Sequence, residues 1–496
     1  MKYISTRNSA CSVTAAEAIT RGISAEGGLF VPETLPELTM EDLCSLAGKS
    51  YNHRVKFVLS KFLTDFSEEE LAACVDSAYT GEKFDTESIS EISKVGENAY
   101  LLELWHGPTC AFKDMALQLL PHLLTTSAKK TAPDKEIVVL VATSGDTGKA
   151  ALEGFKDVPG TRMLAFYPEN GVSAMQKLQM TTQEGANVSV CAIKGNFDDA
   201  QTGVKKIFTD PEIIEELAKN GQMFSSANSI NWGRLVPQIV YYVSAYVTLM
   251  ETGEIVPGEE VNVVVPTGNF GNILAAYYAK HMGVPFGTLI CASNQNNVLT
   301  DFLDAGIYDR NRDFYATTSP SMDILISSNL ERLLFDLSGR DDEAIREWFG
   351  ALAEDGEYEV SDEVKEHLAD EFFGGFCDDE DTRDVIGRTF EKYGYICDTH
   401  TGVAVKVYED YLEATGDERK TIIASTASPY KFNDSVLAAI SDEEIPADPF
   451  DQAARLHELT GLEIPQSLLA LKDKPIRFTE SISREEMVEA VKKMLK

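Results

Sequence analysis

The chain is poor in basic residues: 44 lysines and arginines stand against 80 aspartates and glutamates, for a net charge of −36 over 496 residues. Nucleic acid is therefore not an expected partner, because no basic surplus exists to neutralise phosphates. Charge of this kind favours solubility and is silent on fold. Histidine is scarce as well, seven in all, with no His-Glu-x-x-His or comparable pairing, and no metal is assigned. Cysteine pairs are missing. The eight cysteines, at 11, 44, 74, 110, 191, 291, 377 and 397, lie far apart without a Cys-x-x-Cys, which favours reduced thiols over a disulfide framework or zinc site. Long hydrophobic runs are also missing. The most apolar stretch, 235–250, contains Pro237, Gln238, Ser244 and Thr248, and a membrane span needs ~20 mostly apolar residues, so it reads as a buried helix. Residues 1–7 lack the apolar core of a signal peptide. A cytoplasmic protein with no membrane partner is expected.

What is present is ample apolar material, 44% of residues, enough for two or three domains. Residues 1–98 read as helical, with a packing or lid role. From 99 a unit repeats: an apolar β-branched run, a small-residue turn, then a helix. The runs 137–142, 188–193, 261–265 and 421–425 lead to turns at 143–148, 195–199, 266–272 and 426–429. Continuous apolar strands alternating with helices predict an α/β fold with a parallel sheet covered on both faces. Ligands in such sheets sit beyond the carboxyl ends of the strands, so these turns are candidates for one cleft. Residues 99–340 form the expected core, 341–395 an acidic helical insertion with a solvated face, and 396–496 the rest of the core with C-terminal helices. Ser483 and Glu486 suit a capping box ahead of an apolar stripe at Met487, Val491, Met494 and Leu495.

Chemistry concentrates at Trp105-His106-Gly107-Pro108-Thr109-Cys110-Ala111-Phe112-Lys113-Asp114. Lys113 stands at or just before a helix start, beside Phe112. A positive helix terminus and an apolar neighbour both lower a lysine pKa, and a neutral amine can attack a carbonyl to form a Schiff base. The competing reading is a solvated lysine near a turn. Gly268-Asn269-Phe270-Gly271-Asn272 follows a strand and opens a helix, where free N–H groups suit a phosphate. The similar Gly195-Asn196-Phe197 is followed by Asp198 and Asp199, which would cap or repel there. Thr143-Ser144-Gly145-Asp146-Thr147-Gly148 suits a carboxylate, or is a tight turn with an Asp cap. Ser226-Ala227-Asn228-Ser229-Ile230-Asn231-Trp232-Gly233-Arg234 supplies an arginine for an anion, or is a capped helix with a surface arginine. His106 and His400 read as hydrogen-bonding scaffolds, and no Ser-His-Asp or Cys-His arrangement stands out. An activated lysine, a phosphate cup, a carboxylate-sized turn and a second anion site suit pyridoxal 5′-phosphate with a phosphorylated amino acid.

Taken together, these motifs resemble the threonine synthase family, within the tryptophan-synthase-β-like (fold type II) pyridoxal phosphate enzymes. Gly28-Leu29-Phe30-Val31-Pro32 and Thr426-Ala427-Ser428-Pro429-Tyr430-Lys431-Phe432 complete the set, in family order. Cys110 departs from it, where an aliphatic residue is expected. The resemblance implies two parallel-sheet α/β domains with the cofactor cleft between them. It implies that Lys113 holds the cofactor covalently and shuttles protons. Gly268, Asn269, Phe270, Gly271 and Asn272 then cradle the cofactor phosphate, and Thr426 faces the pyridine nitrogen. Thr143, Ser144, Asp146 and Thr147 hold the substrate end, with Asp146 the least defined, and Asn228 and Arg234 take the substrate phosphate. The implied reaction turns O-phospho-L-homoserine and water into L-threonine and phosphate. A phospholyase or serine/threonine dehydratase of the same fold is the alternative, and a non-enzymatic phosphate-binding protein stands further off. Monomer and homodimer both remain open.

Overall fold

The computed structural model describes residues 1–143, 145–169, 172–195 and 197–495. The run Val261–Pro266 is buried at every position, so strands must flank it and other elements must cover both its faces. It lies in a six-stranded sheet whose spatial order is Phe372–Phe376, Phe286–Ser293, Val261–Pro266, Thr421–Ser425, Ala99–Glu103 and Glu91–Val95. Every pair is parallel except the last, where Glu91–Val95 runs antiparallel at the edge. Val263 stands beside Leu289 on one side and Ile422 on the other. Alternation sets the faces: Val261, Val263 and Val265 enter the largest apolar core, while Val264 joins Ile290, Ile423 and Leu101 on the opposite face. The helix Thr399–Thr415 covers that second face with Val403, Ala404, Val407 and Tyr411.

A second parallel sheet has the order Ser481–Ile482, Val188–Ile193, Thr161–Pro168, Glu136–Ala142 and Gln222–Ser225. Ile137, Val139 and Val141 point into the same largest core as the first sheet, and Val138, Leu140 and Ala142 into a third one. The helices Phe197–Thr209, Pro211–Lys219 and Met487–Met494 close that outer face. The capping box at Ser483 and Glu486 is present, one short turn ahead of the last helix. The stretch expected as a buried helix is the 20-residue Trp232–Glu251, which carries residues of the shared core. Among the described residues no helix is long and apolar enough to cross a membrane.

Two segments depart from the helical reading. The first 98 residues hold helices, but also a three-stranded antiparallel sheet with Tyr3–Ser5 between Asn8–Val13 and Phe30–Pro32. Two of these strands have three residues, too short to show a period, and the six-residue Asn8–Val13 is mostly exposed, so it carries no apolar alternation. The acidic segment supplies the edge strand Phe372–Phe376, whose two glycines hide its pleat: a Cβ on Gly375 would sit 2.6 Å from Val407 Cγ1.

One close approach places the site. The short helix Asp114–Leu117, which follows Lys113, abuts the helix Asp146–Phe155 at Gly154, where an added Cβ would fall 2.0 Å from the Leu117 carbonyl oxygen. Gly154→Ala must push the two helices apart, and overpacking of this kind costs ~1–3 kcal/mol. We expect a lower thermal unfolding midpoint; a Gly154→Ala protein that melts with the wild type would show that the helices are not so closely packed.

Candidate active site

Lys113 is the residue before a four-residue helix, on a loop that backbone bonds tie to a distant turn. The Phe112 N–H donates to the Thr426 carbonyl at 2.8 Å, and the Ser428 N–H to the Cys110 carbonyl at 3.1 Å. Ala111 and Ala427 pair as an isolated antiparallel bridge. The loop is braced from within by Asp114, whose buried carboxylate accepts from the Thr109 N–H at 2.8 Å and the Thr109 hydroxyl at 2.7 Å. Burial pushes Asp114 up to about 6 against those bonds. Gly107 is required here, since a Cβ would lie 2.6 Å from that of Asp114. Cys110 sits at φ 59°, a left-handed conformation unusual for a side chain other than glycine.

These constraints aim Lys113 into a cavity of about 290 Å³ between the two sheets. The Lys113 Nζ donates to the Ser321 hydroxyl at 3.1 Å, lies 3.6 Å from an Asp146 oxygen and stands 4.9 Å from the Phe112 ring centre. Burial brings the ammonium down to about 8; the Arg234 and Lys431 charges push the same way and Asp146 opposes them. The lowering comes from the enclosing cavity more than from the helix start, because four residues carry little dipole.

All but one of the expected site residues line this one cavity: Lys113, Thr143, Asp146, Thr147, Asn228, Arg234, Gly268, Asn269, Phe270, Gly271, Asn272 and Thr426. Ser144 lies outside the described residues, as does Asn196 of the Gly195 turn. The helix after that turn still reaches the cavity, through Gln201 and Lys205.

The glycine-rich turn after Val261–Pro266 is built for an anion. Phe270 adopts a left-handed φ of 62°, and the helix Gly271–Met282 starts with neither a capping side chain nor an acidic residue in its first turn. Loop residues hold the turn from outside: the Ser327 hydroxyl donates to the Gly268 carbonyl at 2.8 Å, and the Asn329 amide to the Asn269 carbonyl at 2.9 Å. Asn272 Oδ1 accepts from the Tyr241 and Tyr242 hydroxyls at 2.7 and 2.5 Å, while its Nδ2 is a buried donor with no partner among the described residues. An orphan amide beside uncapped N–H groups fits a phosphate. The residues present fit pyridoxal 5′-phosphate: a phosphate-sized turn, a buried amine and a hydroxyl at Thr426 share one cavity.

The other turns resolve their open readings. Thr143, not Asp146, closes the turn at 143–148: its hydroxyl oxygen accepts from the Gly145 and Gly148 N–H groups at 3.0 and 2.8 Å. Asp146 is thereby free to meet Lys431 at 2.5 Å and the Gln176 amide at 2.8 Å. Burial pushes Asp146 up, but the Lys431 and Lys113 ammonium groups outweigh it and hold the carboxylate well below its usual range. Arg234 is 5% exposed, not a surface residue. It donates to the Ala227 carbonyl at 2.8 Å, and no carboxylate lies within ion-pair distance of it among the described residues. Burial brings it down to about 10. A buried cation without an anion, facing a cavity, is a seat for one.

His400 acts as the expected scaffold. Its Nδ1 meets Asp398 at 2.7 Å and its Nε2 accepts the Ser321 N–H at 3.1 Å, which positions the partner of Lys113. His106 lies away from the cavity, between Asp85 at 2.7 Å and Glu103 at 2.8 Å, and these carboxylates raise it to about 9 against burial. Sequence reasoning gave no role to Lys431, Gln176 or Ser321. Lys431 stood inside a quoted motif; the other two carried no signal, because what brings them to Asp146 is tertiary contact.

Residues 2–79 match the family model described as threonine synthase N terminus, 85–361 that of pyridoxal-phosphate dependent enzymes, and 401–494 that of threonine synthase, C-terminal. Threonine synthase-like 1 of Pongo abelii is 42% identical over 439 residues, which are 86% of this chain; the chain spans 58% of the length of that relative. Threonine synthase of Pseudomonas aeruginosa is 37% identical over 88% of this chain and 90% of its own. The crystal structure of threonine synthase from Brucella melitensis, described as bound to pyridoxal phosphate, superposes with a TM-score of 0.88 at 35% identity over 100% of this chain and 99% of that one. By sequence and by fold, the chain belongs to the threonine synthase family of pyridoxal-phosphate-dependent enzymes.

Proposed function

We propose that this chain converts O-phospho-L-homoserine and water into L-threonine and phosphate, using pyridoxal 5′-phosphate. The observation that carries the reading is a pair of separate anion seats in one cavity, the uncapped helix at Gly271 and the unpaired Arg234, with the Lys113 amine in the same cavity. One seat suits the cofactor phosphate and the other the substrate phosphate.

When bound, pyridoxal phosphate supplies a carbonyl for an amine and an electron sink that makes the Cα proton of an amino acid removable. Gly268, Asn269, Phe270, Gly271 and Asn272 would hold its phosphate, and Thr426 would meet its ring nitrogen with a hydroxyl, which cannot protonate a pyridine nitrogen. Thr143 and Thr147, with Ser144, hold the substrate carboxylate. Asn228 and Arg234 fork the substrate phosphate. Lys113 takes the Cα proton and later returns it. Loss of a Cβ proton accompanies departure of the phosphate from Cγ, and water then adds its oxygen at Cβ and a proton goes to Cγ, which balances the equation. Phosphate kept at Arg234 serves as a base toward that water.

Two outcomes follow for Lys113. The apo-protein pulsed with acetic anhydride across pH should label Lys113 with a midpoint near 8, since only the neutral amine reacts and its fraction rises as pH passes that value. A midpoint near the ordinary lysine value would show an ammonium in open solvent. With the cofactor supplied, Lys113→Ala should abolish the absorbance of bound cofactor above the aromatic region and lower turnover by more than the ~10²–10⁴ of a general base alone. Near-normal turnover would sink the proposed function, and so would product analysis showing a keto acid in place of threonine.

For Arg234, removing one partner of a buried charged pair costs ~2–5 kcal/mol. At ~1.4 kcal/mol per decade, Arg234→Ala should lower kcat/KM for O-phosphohomoserine by roughly 30- to 5,000-fold. Cofactor absorbance should persist, and Arg234→Lys should recover only part, since a point charge replaces a planar fork. Loss of cofactor absorbance together with activity would put Arg234 on the cofactor instead.

A further inference from the structure

Asp146 stands between two buried lysines and is shared unequally. Its Oδ1 takes both strong contacts, Lys431 Nζ at 2.5 Å and Gln176 Nε2 at 2.8 Å. Its Oδ2 faces the Ser321 hydroxyl at 3.4 Å and Lys113 Nζ at 3.6 Å, too far for a hydrogen bond to the lysine. Lys113 therefore donates to a neutral hydroxyl while a carboxylate lies just beyond reach.

What holds the carboxylate back is a closed ring of contacts. The Lys431 side chain is 0% exposed and also donates to the Thr109 carbonyl at 3.0 Å, in the lysine loop itself. Its own carbonyl accepts from the Ser173 hydroxyl at 3.2 Å. The Ser173 N–H donates to Gln176 Oε1 at 3.0 Å, and the other end of that amide reaches Asp146. The ring thus joins the turn Pro429–Lys431, the helix Ala174–Thr181 and the start of the helix Asp146–Phe155. An ammonium fully out of water is costly unless paired, so a lysine kept at this position calls for a task that a neutral side chain would not perform.

We propose that Lys431 is a positioning residue: by taking the near contact with Asp146 and adding its own positive charge, it prevents that carboxylate from locking Lys113 as an ammonium. The inference rests on Lys113 being the reactive amine of the proposed function. The charged groups that face Lys113 are Asp146 from its helix start, Lys431 from the turn Pro429–Lys431 and Arg234 from Trp232–Glu251; Asp323, His400 and, from the helix Phe197–Thr209, Lys205 also line the cavity. Without Lys431, Asp146 is left with Lys113 as its one cationic partner among the described residues, and an opposite charge within ~4–6 Å that no like charge offsets raises an amine by ~1–3 pH units.

Lys431→Gln keeps an amide donor toward Asp146 and Thr109 and removes only the charge. Read by acetic anhydride labelling of the apo-protein, its Lys113 midpoint should move up by about one pH unit or more. The double variant Asp146→Asn/Lys431→Gln should bring it back to or below the wild-type value, because the attracting carboxylate has gone too. Lys431→Met should repeat the upward shift; if it does not fold, the Gln pair still decides. In the cofactor-loaded protein, the acid limb of kcat/KM should move to higher pH in Lys431→Gln and recover above it, whereas a merely structural role would lower activity alike at every pH. A folded Lys431→Gln whose Lys113 midpoint stays or falls overturns the proposal while leaving the proposed function intact. Failure of the wild-type protein to turn over substrate overturns that function instead, and the labelling midpoints still decide the role of Lys431.

Discussion

The site depends on the backbone bonds that join the loop before Lys113 to the turn after Thr421–Ser425. The Phe112 N–H on the Thr426 carbonyl and the Ser428 N–H on the Cys110 carbonyl make two parts of the chain more than 300 residues apart into one piece of structure. Once they form, Lys113 and Thr426 must share a wall of the same cavity. Such a stitch demands local conformations that the sequence must permit, hence the left-handed Cys110 and the glycine at 107 against Asp114. Cys110, a departure from the family pattern, occupies the strained position. Its thiol lies 3.4 Å from the Ser467 hydroxyl, and burial pushes it up to about 12, so it packs there as an inert thiol.

A second constraint is charge. The exterior is strongly acidic, yet the buried Lys113, Arg234 and, just behind the wall, Lys431 bring positive charge to one small volume, which the exposed Lys205 also lines. Among the described residues only Asp146 opposes the two buried lysines at ion-pair distance. An excess of buried cations is unfavourable by itself and becomes favourable with anions beside it. The repulsive surface and the cationic interior are compatible because solvent screens the first and the cavity walls exclude solvent from the second.

The amino-terminal sheet contributes at a distance. Arg332 is wholly buried and donates to the Phe30 carbonyl at 3.0 Å, to Asn329 at 2.5 Å and to the Ile230 carbonyl at 2.6 Å. It links the strand Phe30–Pro32 to the loops that support the phosphate seat and Asn228. Gly28-Leu29-Phe30-Val31-Pro32 is thus a packing motif. Gly28 allows the approach of Ser5 and Arg7, whose atoms an added Cβ would meet at 2.2 and 2.9 Å.

The sequence by itself determined the strand cores, the helix starts after them and the residues that meet in the cavity. Each is written in local pattern: apolar β-branched runs, a glycine pair before a helix, a lysine at a turn. It also marked the long apolar helix as buried, through the polar residues that interrupt it. It could not show that the acidic segment adds an edge strand, or that three-residue strands pair near the amino terminus, because such short elements lack a period. Nor could it choose between an Asp146 that caps its turn and one that faces the cavity, between a surface and a buried Arg234, or show that Lys431 pairs with Asp146. Those choices were made only by tertiary structure, since burial and ion pairing arise between residues whose separation along the chain carries no information about their distance in space.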